Sequence, residues 1–266
     1  VLLLPFLLVA IVPIYILLIS AFKTQPDILA SPLTFQLDRL TVDNVVAAVQ
    51  SPQLDIVASF LRTALITIAS VALSTFTAAL LSYVVSRVAT VWTYVLYAVI
   101  AAGILIPSQV LLIPVIRIFQ LLSIDGTLFA LILYMAALQI PYAVFLYSGF
   151  FSSIPKELDE AAYVDGAGPF RTFWSVIFPV LRPATASIAI FNGLGAFNNF
   201  IDPLIILGPT GGKTITTGIF SAVGQYNTDY ASVFGNLLVA ITPVVIAYFF
   251  LQRQFIEGLS EGSVKS

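Results

Sequence analysis

Long apolar runs separated by short polar joints dominate this chain. Runs close to the length needed to cross a bilayer as a helix, about 20 residues, recur six times, at 1–22, 57–85, 91–115, 128–151, 184–207 and 232–251. Lipid offers no partners to backbone N–H and C=O groups, so runs of this length are predicted to be helices that satisfy their own hydrogen bonds. Residues 23–56 form a polar loop with prolines at 26, 32 and 52, and Ser86-Arg87 ends the second run. "SIDGT" joins the third run to the fourth, residues 152–182 form a charged joint, "GPTGGKT" follows the fifth run, and residues 252–266 make a polar tail. The pattern predicts an all-α polytopic membrane protein, one domain over residues 1–266 with six transmembrane helices. The opening run has no basic segment before it and no small-residue cleavage site. It is expected to be a true span rather than a signal peptide, with a start residue and a short polar segment preceding it. Pro107, Pro114, Pro141, Gly193 and Gly195 fall inside runs, as kinks or as unwound segments beside a substrate path.

Composition agrees with the pattern and narrows the chemistry. Hydrophobic residues make up 59 % of the chain and charged residues 9 %, against roughly 45–50 % and about 25 % in soluble domains. Mean hydropathy is +1.04. There is no Cys, hence no disulfide, thiol nucleophile or thiolate metal site. There is no His, the commonest metal ligand and general base. With no acid cluster in the spans either, an enzyme has little to be built from. The net charge of −2 says little about partners, and no nucleic acid is expected.

Six spans place both termini on one side. With the termini inside, the inner segments carry Arg87, Lys156, Arg171, Arg182, Arg253 and Lys265, and the outer ones Lys23, Arg39, Arg62, Arg117 and Lys213. The positive-inside rule leaves so even a distribution undecided.

The joint at 152–182 concentrates charge: Lys156, Glu157, Asp159, Glu160, Asp165, Arg171 and Arg182. Pro155 suits the first turn of a helix, and the acids that follow suit its positive end. Gly166 and Gly168 interrupt the helix and Pro169 restarts one. Phe170, Phe173, Trp174 and Ile177 recur at helical spacing and predict one apolar face, and Pro179 and Pro183 close the unit. Spacing alone fits a docking helix-turn-helix and an ordinary interfacial connection equally well.

The order Glu160-Ala161-Ala162, three residues, Gly166, nine residues, then Val176-Ile177-Phe178-Pro179 resembles the EAA loop of ABC-importer permeases. The family form ends in Ile-x-Leu-Pro, and Val176 and Phe178 stand in here for Ile and Leu. "FLRTALITIASVALSTFTAALLSYVVSR", "IPSQVLLIPV", "GFFSSIPKELDEAAYVDGAG" and "QRQFIEGLSEGSVKS" are similar to carbohydrate permeases of the maltose-transporter type, the smaller membrane subunit, at matching places. The likeness covers nearly the whole chain. It implies a type I importer permease in the bacterial cytoplasmic membrane, with both termini and the 152–182 coupling loop in the cytoplasm. The implied partners are a second homologous permease, a dimer of cytoplasmic ATPases that bind ATP and Mg, and an extracytoplasmic sugar-binding protein. The implied cargo is a sugar, a di- or oligosaccharide. This chain is then not an enzyme and holds no cofactor or metal. At the coupling loop the resemblance points to Glu157, Glu160, Ala161, Ala162, Asp165, Gly166 and Pro179. Glu160 is implied as a charged anchor, the alanines as small knobs and Gly166 as the bend. The tail from 258 to 266 is implied to touch the ATPases too.

Substrate contacts are expected in the fifth run. Asn192, Gly195, Asn199 and Asp202 follow one helical stripe, and Asn198 beside it is expected to pair with Asp202. Amides and a carboxylate supply the donors and acceptors that sugar hydroxyls need, and an acid inside a span is costly unless paired or facing water. Bonding to neighbouring helices is the competing role for the stripe. The family has Trp-Asn-Glu/Asp-Phe-x-Trp-Pro here, whereas this chain has Phe197-Asn198-Asn199-Phe200-Ile201-Asp202-Pro203. Tyr134, Gln139, Tyr142, Ser74, Thr75 and Thr77 are secondary candidates, more readily read as helix packing, and Arg62 reads as a snorkelling residue. "GPTGGKT" is one residue short of a phosphate-binding loop and follows a span, so a polar outer turn is expected. Two other transporter classes stay open: an importer of the same type for glycerol phosphate or a polyol, and an ion-coupled secondary transporter, which requires intramembrane acids and inverted repeats. Only Asp202 meets that requirement, and no repeat is visible.

Overall fold

A computed structural model describes the backbone of residues 3–51, 55–223 and 229–261, and within them the side chains of 9–51, 55–221, 229–243 and 245–246. The described residues are helical with no strand. The helices are α1 (Leu3–Ser20), α2 (Gln25–Ala30), α3 (Asp43–Val49), α4 (Ile56–Arg87), α5 (Val91–Ala102), α6 (Ser108–Leu121), α7 (Leu128–Phe151) and α8 (Glu157–Val164). They continue with α9 (Pro169–Val180), α10 (Arg182–Phe197), α11 (Ile201–Ile206), α12 (Ile215–Val223) and α13 (Tyr230–Glu261). Among the described residues α4 and α7 are long and apolar enough to cross a bilayer singly. The bent pairs α5–α6 and α9–α10 add two more if each is one span, and shorter apolar stretches lie at Val9–Ser20 and Tyr230–Pro243.

The third and fifth runs are not the straight helices expected. The chain bends by 107° between residues 105 and 108. Pro107 is the cause: its ring clashes with the residue before it in α conformation, and Ile106 takes extended geometry, φ −86° and ψ 117°. The fifth run ends as a helix at Phe197 and resumes at Ile201. In an unbroken helix the ring of Pro203 would meet the carbonyl of Asn199 four residues back, whereas a proline in the first turn of a new helix is tolerated. Asn199 Oδ1 then accepts from the Asp202 N–H, at 3.1 Å, and satisfies one of the free donors of the restarted helix. Pro13, Pro114, Pro141 and Pro243 stay inside helices.

The described chain divides into two compact units, residues 1–63 with 212–250, and 64–211 with 251–266. In the first, the segment after α1 is organised by Asn44, whose Nδ2 donates to the carbonyls of Ala21 (3.1 Å) and Lys23 (2.8 Å). α13 crosses close by, since a Cβ on Gly235 would lie 2.6 Å from the Asn44 carbonyl oxygen. Asp229 caps α13 by accepting from the N–H of Ala231. The helix runs on to Glu261, so most of the expected polar tail is helical, and residues 262–266 lie outside the described residues. α12 was not anticipated. Thr214 and Thr217 cap its start reciprocally, each hydroxyl accepting from the other's backbone N–H.

The second unit has two buried clusters. One joins α4, α7, α9 and α10 through Ala78, Ala79, Ala143, Val144, Tyr147, Phe151, Phe173, Ile177, Leu181 and Ile188. The other joins α4, α6, α7, α10 and α11 through Ile66, Leu112, Leu131, Tyr134, Ala196 and Ile206. Small residues at the first let helices approach closely, which matters in lipid, where apolar burial gives little net drive between helices. Hydrogen bonds tie the same helices together: Ser82 Oγ to the Val144 carbonyl (3.3 Å), and Tyr147 Oη with Thr185 Oγ1 (2.8 Å). Outward surfaces stay apolar, as on α5, where Val91, Trp92, Tyr94 and Val99 are all exposed.

Candidate functional site

The charged joint forms the expected helix-turn-helix. α8 carries Glu157, Asp159 and Glu160 in its first turn, where acids favour the helix dipole. Gly166 turns the chain with φ +77°, a conformation that suits glycine, and Pro169 opens α9. The middle of α9, Phe173–Ile177, widens to π-helical hydrogen bonding. Phe173 and Ile177 are fully buried and Trp174 partly so, whereas Phe170 is exposed. The expected apolar face is therefore rotated, with Phe173, Ile177 and Leu181 as its buried line. Leu181 alone separates α9 from α10, at a bend of 75°. Pro179 lies in the last turn of α9 and Pro183 in the first turn of α10.

One end of α4 holds this unit in place. Arg87 Nη2 pairs with Asp159 Oδ2 at 2.9 Å, both side chains being largely buried. Tyr83 Oη donates to Asp159 Oδ1 at 2.7 Å. The Arg87 guanidinium also donates to the carbonyls of Ile154 (3.2 Å) and Pro155 (3.4 Å) and lies 5.7 Å from the centre of the Phe151 ring. Asp159 thus faces inward. Glu157, Glu160, Ala161, Asp165 and Gly166 remain exposed, next to Tyr163, Val164 and Phe170, which are 79 %, 84 % and 69 % exposed. The two alanines serve different faces: Ala162 is buried and Ala161 is open. Sequence marked Asp159 only as one of the acids at the helix start and Arg87 only as the end of the second run, and it did not single out Tyr83. The tie among the three was missed, although Tyr83 and Arg87 are four apart on the last turns of α4 and so share a face.

The second candidate site is a cavity of about 400 Å³ within the same unit, in the size range of small-molecule sites. Asn192, Gly195, Asn199 and Asp202 all line it, with Gln139 and Tyr142 of α7 and Gly103, Ile106 and Ser108 from the broken third run. Along α7 and α10 its residues adjoin the second buried cluster, sharing Met135 and Ala196 with it, and lie on the side facing the first. Gln139 bridges to α4, accepting from Ser74 Oγ (2.8 Å) and donating to Ser70 Oγ (3.4 Å). Asn199 Nδ2 donates to Asp202 Oδ2 at 2.6 Å. Asn192 Nδ2 and Asp202 Oδ1 are buried with no hydrogen-bond partner among the described residues.

Asn199, not Asn198, therefore pairs with Asp202. The helix break brings the i+3 amide to the carboxylate, while Asn198 is exposed and turns its own amide to the Leu194 carbonyl (2.9 Å), off the cavity wall. Tyr134 donates to the Ser108 carbonyl (2.8 Å), a tie between α7 and α6. Thr75 is buried away from the cavity, and Thr77 does not line it. Arg62 packs on Gly212 and donates to the Lys213 carbonyl (3.5 Å), so the "GPTGGKT" turn meets an arginine and follows a helix rather than a strand.

A family model described as "Binding-protein-dependent transport system inner membrane component" matches residues 76–259. The melibiose/raffinose/stachyose import permease protein of Bacillus subtilis is 33 % identical over 96 % of this chain and 91 % of its own length. The diacetylchitobiose uptake system permease protein of Streptomyces coelicolor is 30 % identical over 97 % of this chain and 85 % of its own. The fold matches a solved chain of a bacterial ABC transporter involved in the import of the acidic polysaccharide alginate. The TM-score is 0.79 at 19 % identity, covering 95 % of this chain and 93 % of that one.

Proposed function

This chain belongs to the family of binding-protein-dependent transport system inner membrane components, and we propose that within it the chain is a permease subunit of an ATP-driven sugar importer. Residues 1–266 act as one permease domain, half of a translocation path completed by a second homologous permease. The cargo is a di- or oligosaccharide handed over by an extracytoplasmic binding protein. The sugar-import names of relatives that align over nearly the full chain support that choice of cargo. The membrane is the bacterial cytoplasmic one, with both termini and the α8–α9 unit on the cytoplasmic side.

The observation that carries the coupling role is the two-faced α8. One face is pinned to α4 by Asp159 and packed through Ala162, and the other offers Glu157, Glu160 and Ala161 beside exposed Tyr163 and Val164. Such a helix is fastened to the spans and free toward a partner. A cytoplasmic ATPase, which binds ATP and Mg itself, takes the free face. Closure of the ATPase dimer moves α8, and the tie at Arg87 passes that motion to α4. α9 passes it to α7 and α10 through the cluster around Phe173 and Ile177.

Glu160→Lys reverses the charge on the open face and leaves the pinned face intact. Uptake of labelled raffinose by cells producing the full importer should fall at least about ten-fold, equivalent to roughly 1.4 kcal/mol on the barrier to transport. The variant should still reach the membrane and assemble. Uptake at the wild-type rate would overturn the coupling role.

A further inference from the structure

Among the described residues Asp202 is the one carboxylate on the wall of the cavity, and no lysine or arginine lines that wall. It is 3 % exposed and forms no ion pair among the described residues. Asn199 satisfies Oδ2, while Oδ1 has no protein partner. Asn192, one of the cavity's other polar residues and 7 % exposed, leaves its Nδ2 donor without a partner. A buried donor and a buried acceptor without partners are costly unless water or a solute supplies them. A hydroxylated solute does so for both, its oxygen accepting from Asn192 and its O–H donating to Asp202. An anionic solute brings a second negative charge beside a carboxylate with no compensating cation among the described residues, in surroundings that screen charge poorly.

We infer that this cavity is a solute-binding station that accepts neutral polyhydroxylated or cationic solutes and turns away anionic ones, with Asp202 as the charge filter and Asn192 as the partner donor. The inference rests on the permease reading above and deepens it, setting neutral and amino sugars apart from phosphorylated or uronic ones. The filter is a property of this subunit, separate from whatever a binding protein selects.

The absence of cysteine from the chain makes the test direct. A Cβ at Gly195, on the cavity wall, meets nothing within 4 Å, so Gly195→Cys places a thiol there without displacing a neighbour. The assembled transporter carrying this variant is treated with trimethylammonium-bearing and sulfonate-bearing methanethiosulfonates. Labelling of this subunit is followed by mass, and each rate is normalised to the reagent's rate with a free thiol in solution. The normalised rate should favour the cation about ten-fold, the lower end of what a charged cleft produces. Adding Asp202→Asn should bring the ratio to about one, and Asp202→Glu should keep it, which separates lost charge from lost shape. Equal rates in the parent variant would overturn the filter, and no labelling by either reagent would overturn a solute-accessible station. Labelling needs no transported sugar, so its failure is distinct from failure of raffinose uptake, which counts against the function proposed above.

Discussion

At the scale of single residues, Arg87 has the most to hold. It pairs with Asp159, reaches two loop carbonyls and covers a phenyl ring. Losing one partner of a buried pair strands the other charge, at about 3–5 kcal/mol for full burial. These side chains are 13 % and 20 % exposed, which lowers the expected cost to about 2 kcal/mol. Arg87→Ala and Asp159→Ala should each lower the melting temperature of the purified complex and its sugar uptake. Arg87→Asp combined with Asp159→Arg should recover part of both, because the pair reforms while the carbonyl contacts do not. Single variants that melt like the parent would show that the tie bears no load. Of this arrangement, the acids of α8 were visible in sequence. That Asp159 points inward while Glu157 and Glu160 point outward was not, since all three suit a helix N-terminus equally.

At the scale of elements, the informative comparison is among the prolines. Pro107 breaks its run and turns the chain by 107°, and Pro203 accompanies the break before α11, but Pro114 and Pro141 sit inside intact helices. The local rule is the same at each. What the surroundings add differs, since a helix keeps a proline where a neighbour fits beside its ring. Pro141 packs against Gly103, where a Cβ would lie 3.0 Å from its Cγ. The breaks matter because Ile106, Ser108, Asn199 and Asp202 reach the cavity from them. Pro107→Leu should favour a continuous helix, draw Ile106 and Ser108 off the wall and lower uptake at least about ten-fold, with assembly retained. The check is transport by reconstituted complex beside its elution profile, and unchanged transport would separate the bend from the path.

At the scale of the whole molecule, the arrangement in the membrane can be read by labelling, again because the chain lacks cysteine. Ala161 and Thr210 are both exposed. With the permeases produced without their ATPase, so that the α8 face is uncovered, Ala161→Cys should react with an impermeant maleimide only in inside-out vesicles, and Thr210→Cys only in right-side-out ones. Reaction of both on one side would overturn the six-span topology with cytoplasmic coupling loop. The run lengths alone predict six spans and leave their orientation open, yet among the described residues only α4 and α7 are long and apolar enough to cross singly. The remaining crossings depend on bent pairs and shorter apolar stretches, whose geometry no run length reveals.

Sequence by itself determined the solvent, the helical class and the position of the charged helix-turn-helix. These follow from composition, from the length of apolar runs and from the backbone's need for internal hydrogen bonds in lipid. It also singled out Asn192, Gly195, Asn199 and Asp202 as one helical stripe; the helix breaks after Phe197, and it is the break and restart, not an unbroken period, that leave all four on one cavity wall. Only the tertiary structure decided that Asn199 rather than Asn198 holds Asp202, that Ala162 turns inward while Ala161 stays open, and that an unwound third run completes the cavity. The physical reason is common to all three. Helices with lipid on one side and protein on the other are apolar on both, so pattern alone does not say which face packs. The pairing of sparse polar groups is set by which helices approach and where they break.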